Sequence, residues 1–180
     1  MKRRYVTAGQ LEGKDIKAAR LSLGMTQQEF ADLVNVSKKT VERWESGASP
    51  VTGPVDLVIK LLGIYPDVVE RVTVPEKAYP LRLWYCEGND VCAIIDVDDV
   101  KRLIKVYNFN YDYTKLPFGR NDKPAYEDYE EFLESRCFPR TRDKIKIELD
   151  RLGLPFYDPM MIIRKTEGRL TDDEFRIIVE

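Results

Sequence analysis

The spacing of apolar residues changes once along this chain of 180 residues: it follows a helical period as far as about residue 72 and strict alternation from Pro80. A helix gathers apolar side chains three or four residues apart on one face, whereas a strand places every second one there. One segment cannot serve both patterns, so the switch asks for two architectures. Between them lie residues 73–80, TVPEKAYP, whose two prolines resist continuation of a helix. We read residues 1–74 as one domain, 75–80 as a linker and 81–180 as a second domain. Each is long enough to bury a core of its own.

In the first domain, Ile16, Ala19 and Leu23, with Ala18 beside them, form a helical stripe over residues 13–23, and Gly24 stops the run. Thr26 opens a second helix, and Glu29 three residues on completes the pattern of a capping box. Phe30, Ala31 and Leu33 are its apolar side. The turn Val34-Asn35-Val36 leads to Ser37, a good N-cap for a third helix that runs to about Glu45. Val41 and Trp44 face inward there, and Gly47 closes it. Gly53-Pro54 begins a fourth helix with Val55, Val58, Leu61 and Leu62 as its apolar face, and a further short helix follows Pro66. The first domain is thus expected to be all-α, with four to five helices.

Two short helices joined by a tight turn, the second lined with Lys, Thr and Arg, describe a helix-turn-helix. The segment from IKAARLSLGMTQQEFADLVNVSKKTVERWESG to VDLVIKLL resembles the XRE family, the phage-repressor type of DNA-binding domain, over about residues 13–65. TQQEFA, the V-x-V-S before the third helix and the WESG after it match in order and spacing. The continuation GPVDLVIKLLGIYPDVVERV is similar to the HigA-type antitoxins. The resemblance implies that the third helix enters the major groove, and it carries DNA contact onto Gln27, Gln28, Ser37, Lys38, Lys39, Thr40 and Arg43. Arg43 is the candidate for a two-pronged hydrogen bond to guanine. Arg20 and Glu45 match a pair that forms a structural ion pair in that family. A charged helix face is more often simply solvated; the surrounding motif is what favours DNA here. The MKRR start adds Lys2, Arg3 and Arg4, a basic tail that lies either free in solvent or along a duplex.

Composition removes other chemistries. With no histidine, the chain contains neither a Ser-His nor a Cys-His catalytic pair, and no His-containing zinc site. Its three cysteines, Cys86, Cys92 and Cys137, include no C-x-x-C, and we read them as buried and inert. A net charge of −2 does not oppose DNA binding, since a local basic patch suffices. Indeed residues 1–74 hold 11 basic against 9 acidic residues, and the remainder 18 against 22.

The second domain opens with Leu81, Leu83 and Tyr85 alternating with Arg82, Trp84 and Cys86. A turn at residues 87–90 and the run 91–97 make this a β-hairpin. Residues 100–107, VKRLIKVY, fit a third strand of a meander, although Val100, Leu103 and Ile104 also fit a helix. Helices follow at 126–137, with Tyr129, Phe132 and Leu133 inward, at 142–152, and at 159–165 behind Asp158, with a returning strand at 175–179. The whole chain is expected to be multidomain, α followed by α+β. The segment SRCFPRTRDKIKIELDRLGLPFYDPMMIIRKTEGR resembles a C-terminal module of small bacterial proteins associated with HipA-like kinases.

Two catalytic alternatives are weaker. Arg136, Arg140, Arg142 and Lys144, with Asp143, could line a phosphate pocket, and Asp96, Asp98 and Asp99 could hold Mg²⁺. Such arginines usually pair with nearby acids, and such a turn needs no metal. Tyr107, Phe109, Tyr111, Tyr113, Phe118 and Tyr126 fit plain core and a partner or dimer surface equally well. The expectation is therefore a cytoplasmic, nucleoid-associated regulator and not an enzyme, with no cofactor and no metal. It would bind double-stranded operator DNA as a homodimer and a cognate toxin or kinase-like protein through its second domain. A ligand-sensing repressor or an enzyme tethered by its helix-turn-helix is the alternative.

Overall fold

A computed structural model describes residues 11–180, which form two compact units that divide between Thr73 and Val74. The basic start with Lys2, Arg3 and Arg4 lies outside the described residues.

The first unit is helical: α1 (Gly13–Ser22), α2 (Gln27–Leu33), α3 (Lys38–Glu45), α4 (Val55–Ile64) and α5 (Val68–Val72). Ile16, Phe30, Ala31, Val41, Trp44 and Val55 make its core, with one or two residues from each of the first four helices. The elements start where side chains can satisfy free amides. Thr26 Oγ1 accepts the Glu29 N–H at 3.2 Å while the Glu29 carboxylate accepts the Thr26 N–H at 2.6 Å, a reciprocal cap. α4 differs from expectation. Its inward stripe is Val55, Ile59 and Leu62, at i, i+4 and i+7, while Leu61 faces solvent. The cause is that α4 is apolar nearly all round, so sequence alone does not say which stripe the core takes.

The second unit is a four-stranded antiparallel sheet in the order β3-β2-β1-β4 with helices α6 (Tyr126–Ser135), α7 (Ile145–Leu152) and α8 (Pro159–Thr166). The strands are β1 (Leu81–Glu87), β2 (Asp90–Asp98), β3 (Leu103–Asn108) and β4 (Phe175–Val179). The α followed by α+β layout stands. The β1–β2 turn is tighter than the sequence indicated: Glu87 pairs with Asp90, leaving only Gly88 and Asn89 between them. Gly88 at φ 56° supplies the left-handed backbone that such a two-residue turn requires. The register slips between Tyr85 and Cys86, making Cys92 the extra residue of a bulge. The ambiguous run is a strand. It starts at Leu103 because Asp98 Oδ1 accepts the Lys101 N–H at 3.0 Å and Arg102 turns left-handed, closing a turn first. α7 likewise begins at Ile145 rather than 142, since Lys144 sits at φ 63°.

One sheet face carries Leu81, Leu83, Tyr85, Ile95, Val97, Ile104, Val106 and Ile177 onto Tyr129, Phe132, Leu133, Ile162 and Ile163 of α6 and α8. On the opposite face, Arg82 and Asp96 stand side by side across β1 and β2, both buried. Arg82 Nε and Nη2 donate to the two Asp96 oxygens at 2.6 and 2.8 Å. The Ala78 N–H also reaches Asp96, and Arg82 Nη1 reaches the Pro75 carbonyl, so this pair straps residues 75–78 to the sheet. The aromatic run divides: Phe118 packs against Phe132 and Tyr126 against Tyr129, each pair with tilted rings, whereas Tyr111 and Tyr113 are exposed.

Candidate nucleic-acid interface

The geometry of the first unit is set by how α2 and α3 meet. Val36 N–H bonds to the Ala31 carbonyl at 2.9 Å and Asn35 adopts φ 55°, so the chain reverses within residues 34–37. Asparagine tolerates that left-handed backbone better than most side chains. Ser37 then caps α3, its hydroxyl accepting the Thr40 N–H at 3.2 Å and touching Thr40 Oγ1 at 2.8 Å. α3 itself is eight residues long, which is two turns. Val41 and Trp44, three apart, are buried on its inner side, and Lys38, Lys39, Glu42 and Arg43 are exposed on the other.

Behind α3 stands a polar frame. Arg20 on α1 donates through Nε and Nη2 to Glu45 at 2.7 and 3.2 Å and through Nη1 to the Met25 carbonyl at 2.8 Å. Gln27, first residue of α2, donates Nε2 to the same Glu45 carboxylate at 2.8 Å. Three helices thus converge on one acid. Both ion-pair side chains are about nine-tenths buried, and the Arg20 hydrogen bond holds the Glu45 carboxyl below its usual range. The packing is equally tight beside it: a Cβ on Gly13 would lie 2.0 Å from the Trp44 carbonyl oxygen. Neither this contact nor the Gln27 bond was read from the sequence. A glycine one residue into a helix was the only available hint.

The outward groups of α3 are Lys38, Lys39, Glu42 and Arg43, all exposed. Lys38 lies 3.6 Å from Glu42 one turn on, so Glu42 faces along the helix and tempers one of the cations. Lys39 and Arg43, also one turn apart, have no carboxylate partner among the described residues. Gln28 is exposed at the start of α2 with its amide on Asp32 at 2.8 Å. The seven candidate residues therefore fall on two adjoining places, the first turn of α2 and the solvent side of α3. Ser37 and Thr40 also serve the helix cap, and Gln27 also serves the frame.

The second unit disperses the alternatives weighed from the sequence. Arg136 is buried and donates to Asp173 at 2.6 and 2.9 Å and to the carbonyls of Gly168 and Phe175. Arg140 pairs with Glu134 and Arg142 with Glu148. Both oxygens of Asp96 are taken by Arg82 and the Ala78 amide. Cys86, Cys92 and Cys137 are buried thiols, and burial pushes Cys137 up to about 12, which leaves it protonated and unreactive. Among the described residues no helix is long and apolar enough to cross a membrane.

Residues 16–69 match the helix-turn-helix family. The antitoxin PezA of Streptococcus pneumoniae is 35% identical over 75 residues, 39% of this chain and 48% of that protein. The type II methyltransferase M1.ScrFI of Lactococcus lactis subsp. cremoris is 28% identical over 169 residues, 83% of this chain and 42% of the other. The chain thus spans less than half the length of each of these relatives. A match over 83% of the chain extends across both of its units.

Proposed function

We propose that this chain is a sequence-specific transcriptional regulator of the antitoxin-like kind, which represses its own operon. The observation that carries this is α3: two cations on its solvent side with no carboxylate partner among the described residues, held by a buried three-helix frame on its inner side. Rigid placement of a few side chains is what base reading requires. In this reading Arg43 and Lys39 face base edges. Lys38, Thr40 and Ser37 meet phosphates at the start of α3, and Gln27 and Gln28 hold the backbone at the free amides of α2.

Two turns of helix read few base pairs, so the regulator works as a homodimer on a palindrome. The surface for the second copy is the outer side of α4 and α5. Leu57, Leu61 and Ile64 repeat at i, i+4 and i+7 on the side of α4 away from its core stripe, and Tyr65, Val68 and Val72 extend the exposure. Six side chains so exposed present on the order of 600 Å² of apolar surface. That is at the top of what a soluble monomer leaves uncovered, and near the ~800 Å² each partner of a stable pair buries. The second unit binds the cognate toxin or kinase-like protein.

The test is binding of the full chain to the DNA upstream of its own reading frame, compared with a scrambled duplex of the same length at one salt concentration. A preference of about 10³-fold or more supports the reading, as specific sites typically give. Equal affinity for both duplexes overturns it. Co-expression with the adjacent reading frame then shows whether its product co-purifies in equal amount.

The methyltransferase likeness favours a second reading, because it spans both units: the chain serves as the DNA-recognising part of a methyl-transferring enzyme. Co-purification of the chain from its host with a polypeptide that methylates the DNA the chain binds would favour it over autorepression.

A further inference from the structure

We infer that the second unit takes up an extended segment of a partner protein along the outer edge of β3, as a further strand of its sheet. That segment alternates apolar and carboxylate-bearing residues. The inference rests on the reading of this unit as the one that binds another protein, and gives that reading a surface and a chemistry.

Hydrogen-bond parity defines the edge. The Phe109 N–H donates to the Cys92 carbonyl at 2.9 Å, next to the opposed residues Asn108 and Ala93. Bonded and non-bonded pairs alternate along an antiparallel ladder, so Leu103, Lys105 and Tyr107 turn their backbone groups to β2. Ile104, Val106 and Asn108 turn theirs outward, where they meet no hydrogen-bond partner among the described residues. The other edge of the sheet is closed. There the Ile177 N–H donates to the Glu167 carbonyl at 2.7 Å, and the Phe175 carbonyl accepts Arg136 Nη2 at 3.2 Å. β3 has neither a proline nor a bulge, two usual means of blunting such an edge.

Side chains select the occupant. Ile104 and Val106 are half-buried at the rim of the core, so apolar residues set beside them extend that layer. On the other face Lys105 is exposed, lies over the Tyr107 ring at 5.1 Å and has no carboxylate partner among the described residues. A carboxylate directly across from it makes a favourable cross-strand pair. A second copy of this chain fits worse. It would bring its own Lys105 and its own α6 to the same seam, and α6 exposes Glu127, Glu130 and Glu131. The first two of these reach Arg102, just before β3, so the acidic helix flanks this edge and would face its like.

The test titrates the full chain, without DNA, with a short blocked peptide alternating valine and glutamate, followed residue by residue through NMR shifts and amide exchange. Saturable binding with a dissociation constant below about 1 mM is expected. Exchange should slow at Ile104, Val106 and Asn108 and stay unchanged at Lys105 and Tyr107. A peptide alternating valine and lysine should bind at least about threefold more weakly. Lys105→Glu should reverse that order. Asn108→Pro should weaken both peptides and keep the melting temperature, since residue 108 gives no N–H to β2. No saturable binding at millimolar peptide, slow exchange of the three amides in the chain alone, or a peptide order that Lys105→Glu leaves unchanged would each overturn the inference. If the adjacent reading frame's product binds without slowing those amides, the edge is overturned and the toxin reading stands. If the peptide binds there and that product does not bind, the edge stands and the toxin reading falls.

Discussion

Gly13 is the residue whose replacement the structure forbids most plainly. Its missing side chain leaves room for the Trp44 carbonyl, 2.0 Å from where a Cβ would sit, and a backbone atom cannot move aside as a side-chain tip can. Gly13→Ala should therefore destabilise the first unit by about 1–3 kcal/mol, although alanine is the better helix former, and a chemical melt followed by Trp44 fluorescence would show it. Arg43 is the opposite case, exposed and without a carboxylate partner among the described residues. Arg43→Ala should leave the melt unchanged while weakening operator binding by about 1–3 kcal/mol, with far less effect on scrambled DNA. Equal losses on both duplexes would remove it from base reading. Lys38→Ala, at a phosphate in this reading, should lower the salt dependence of binding by about one counterion, measured as the slope of log affinity against log salt. The sequence disclosed Arg43 and Lys39 because a motif surrounds them. It did not disclose Gly13, whose constraint comes from a carbonyl thirty-one residues away.

At the level of elements, what was legible follows from local rules. Capping signals at Thr26, Ser37 and Asp158 and the stop glycines are written into a few neighbouring residues, and those helices start where the caps say. What escaped was set by distant partners or by a single dihedral angle. The Arg82–Asp96 pair joins strands fourteen residues apart, so Asp96 looked like one member of an acidic turn. Lys144 at positive φ shortened α7 with no glycine to announce it. Arg82→Ala would leave the wholly buried Asp96 charge unpaired and should cost the second unit about 3–5 kcal/mol, whereas replacing both partners with apolar residues of similar size should be far milder. Comparing the single and double variants by denaturant melts separates the two. Acid acts on the same logic. Glu45 and Asp173 are held below their ordinary values of 4.5 and 3.8 by hydrogen bonds from Arg20 and Arg136. Their contribution is complete above those values and is lost as pH falls through the lower folded ones. The first unit should thus weaken on acidification below about pH 4.5 and the second below about pH 3.8, and a pH series of melts checks it.

For the molecule as a whole, the division near residue 74 followed from the change of period, and the all-α and α+β characters came with it. The apolar residues of α4 and α5 were visible too, but not which of them would stay outside, because only the packed core decides that. Leu61→Glu with Ile64→Glu should convert the proposed dimer to a monomer in sedimentation equilibrium and reduce operator affinity at least about tenfold, without lowering the melting temperature of the monomer. A dimer that persists in this variant would place its interface elsewhere.

The frame around Glu45 has a bearing on how such a chain diverges. On one helix of eight residues, Val41, Trp44 and Glu45 face the fold and Lys39 and Arg43 face away, with no hydrogen bond or ion pair joining the two sets. Substitutions at 39 and 43 then drift free of any penalty in folding, so copies of the gene can acquire new target sequences by one or two changes and stop answering to the parent's. Insulation between paralogues is, in this architecture, close at hand in sequence space.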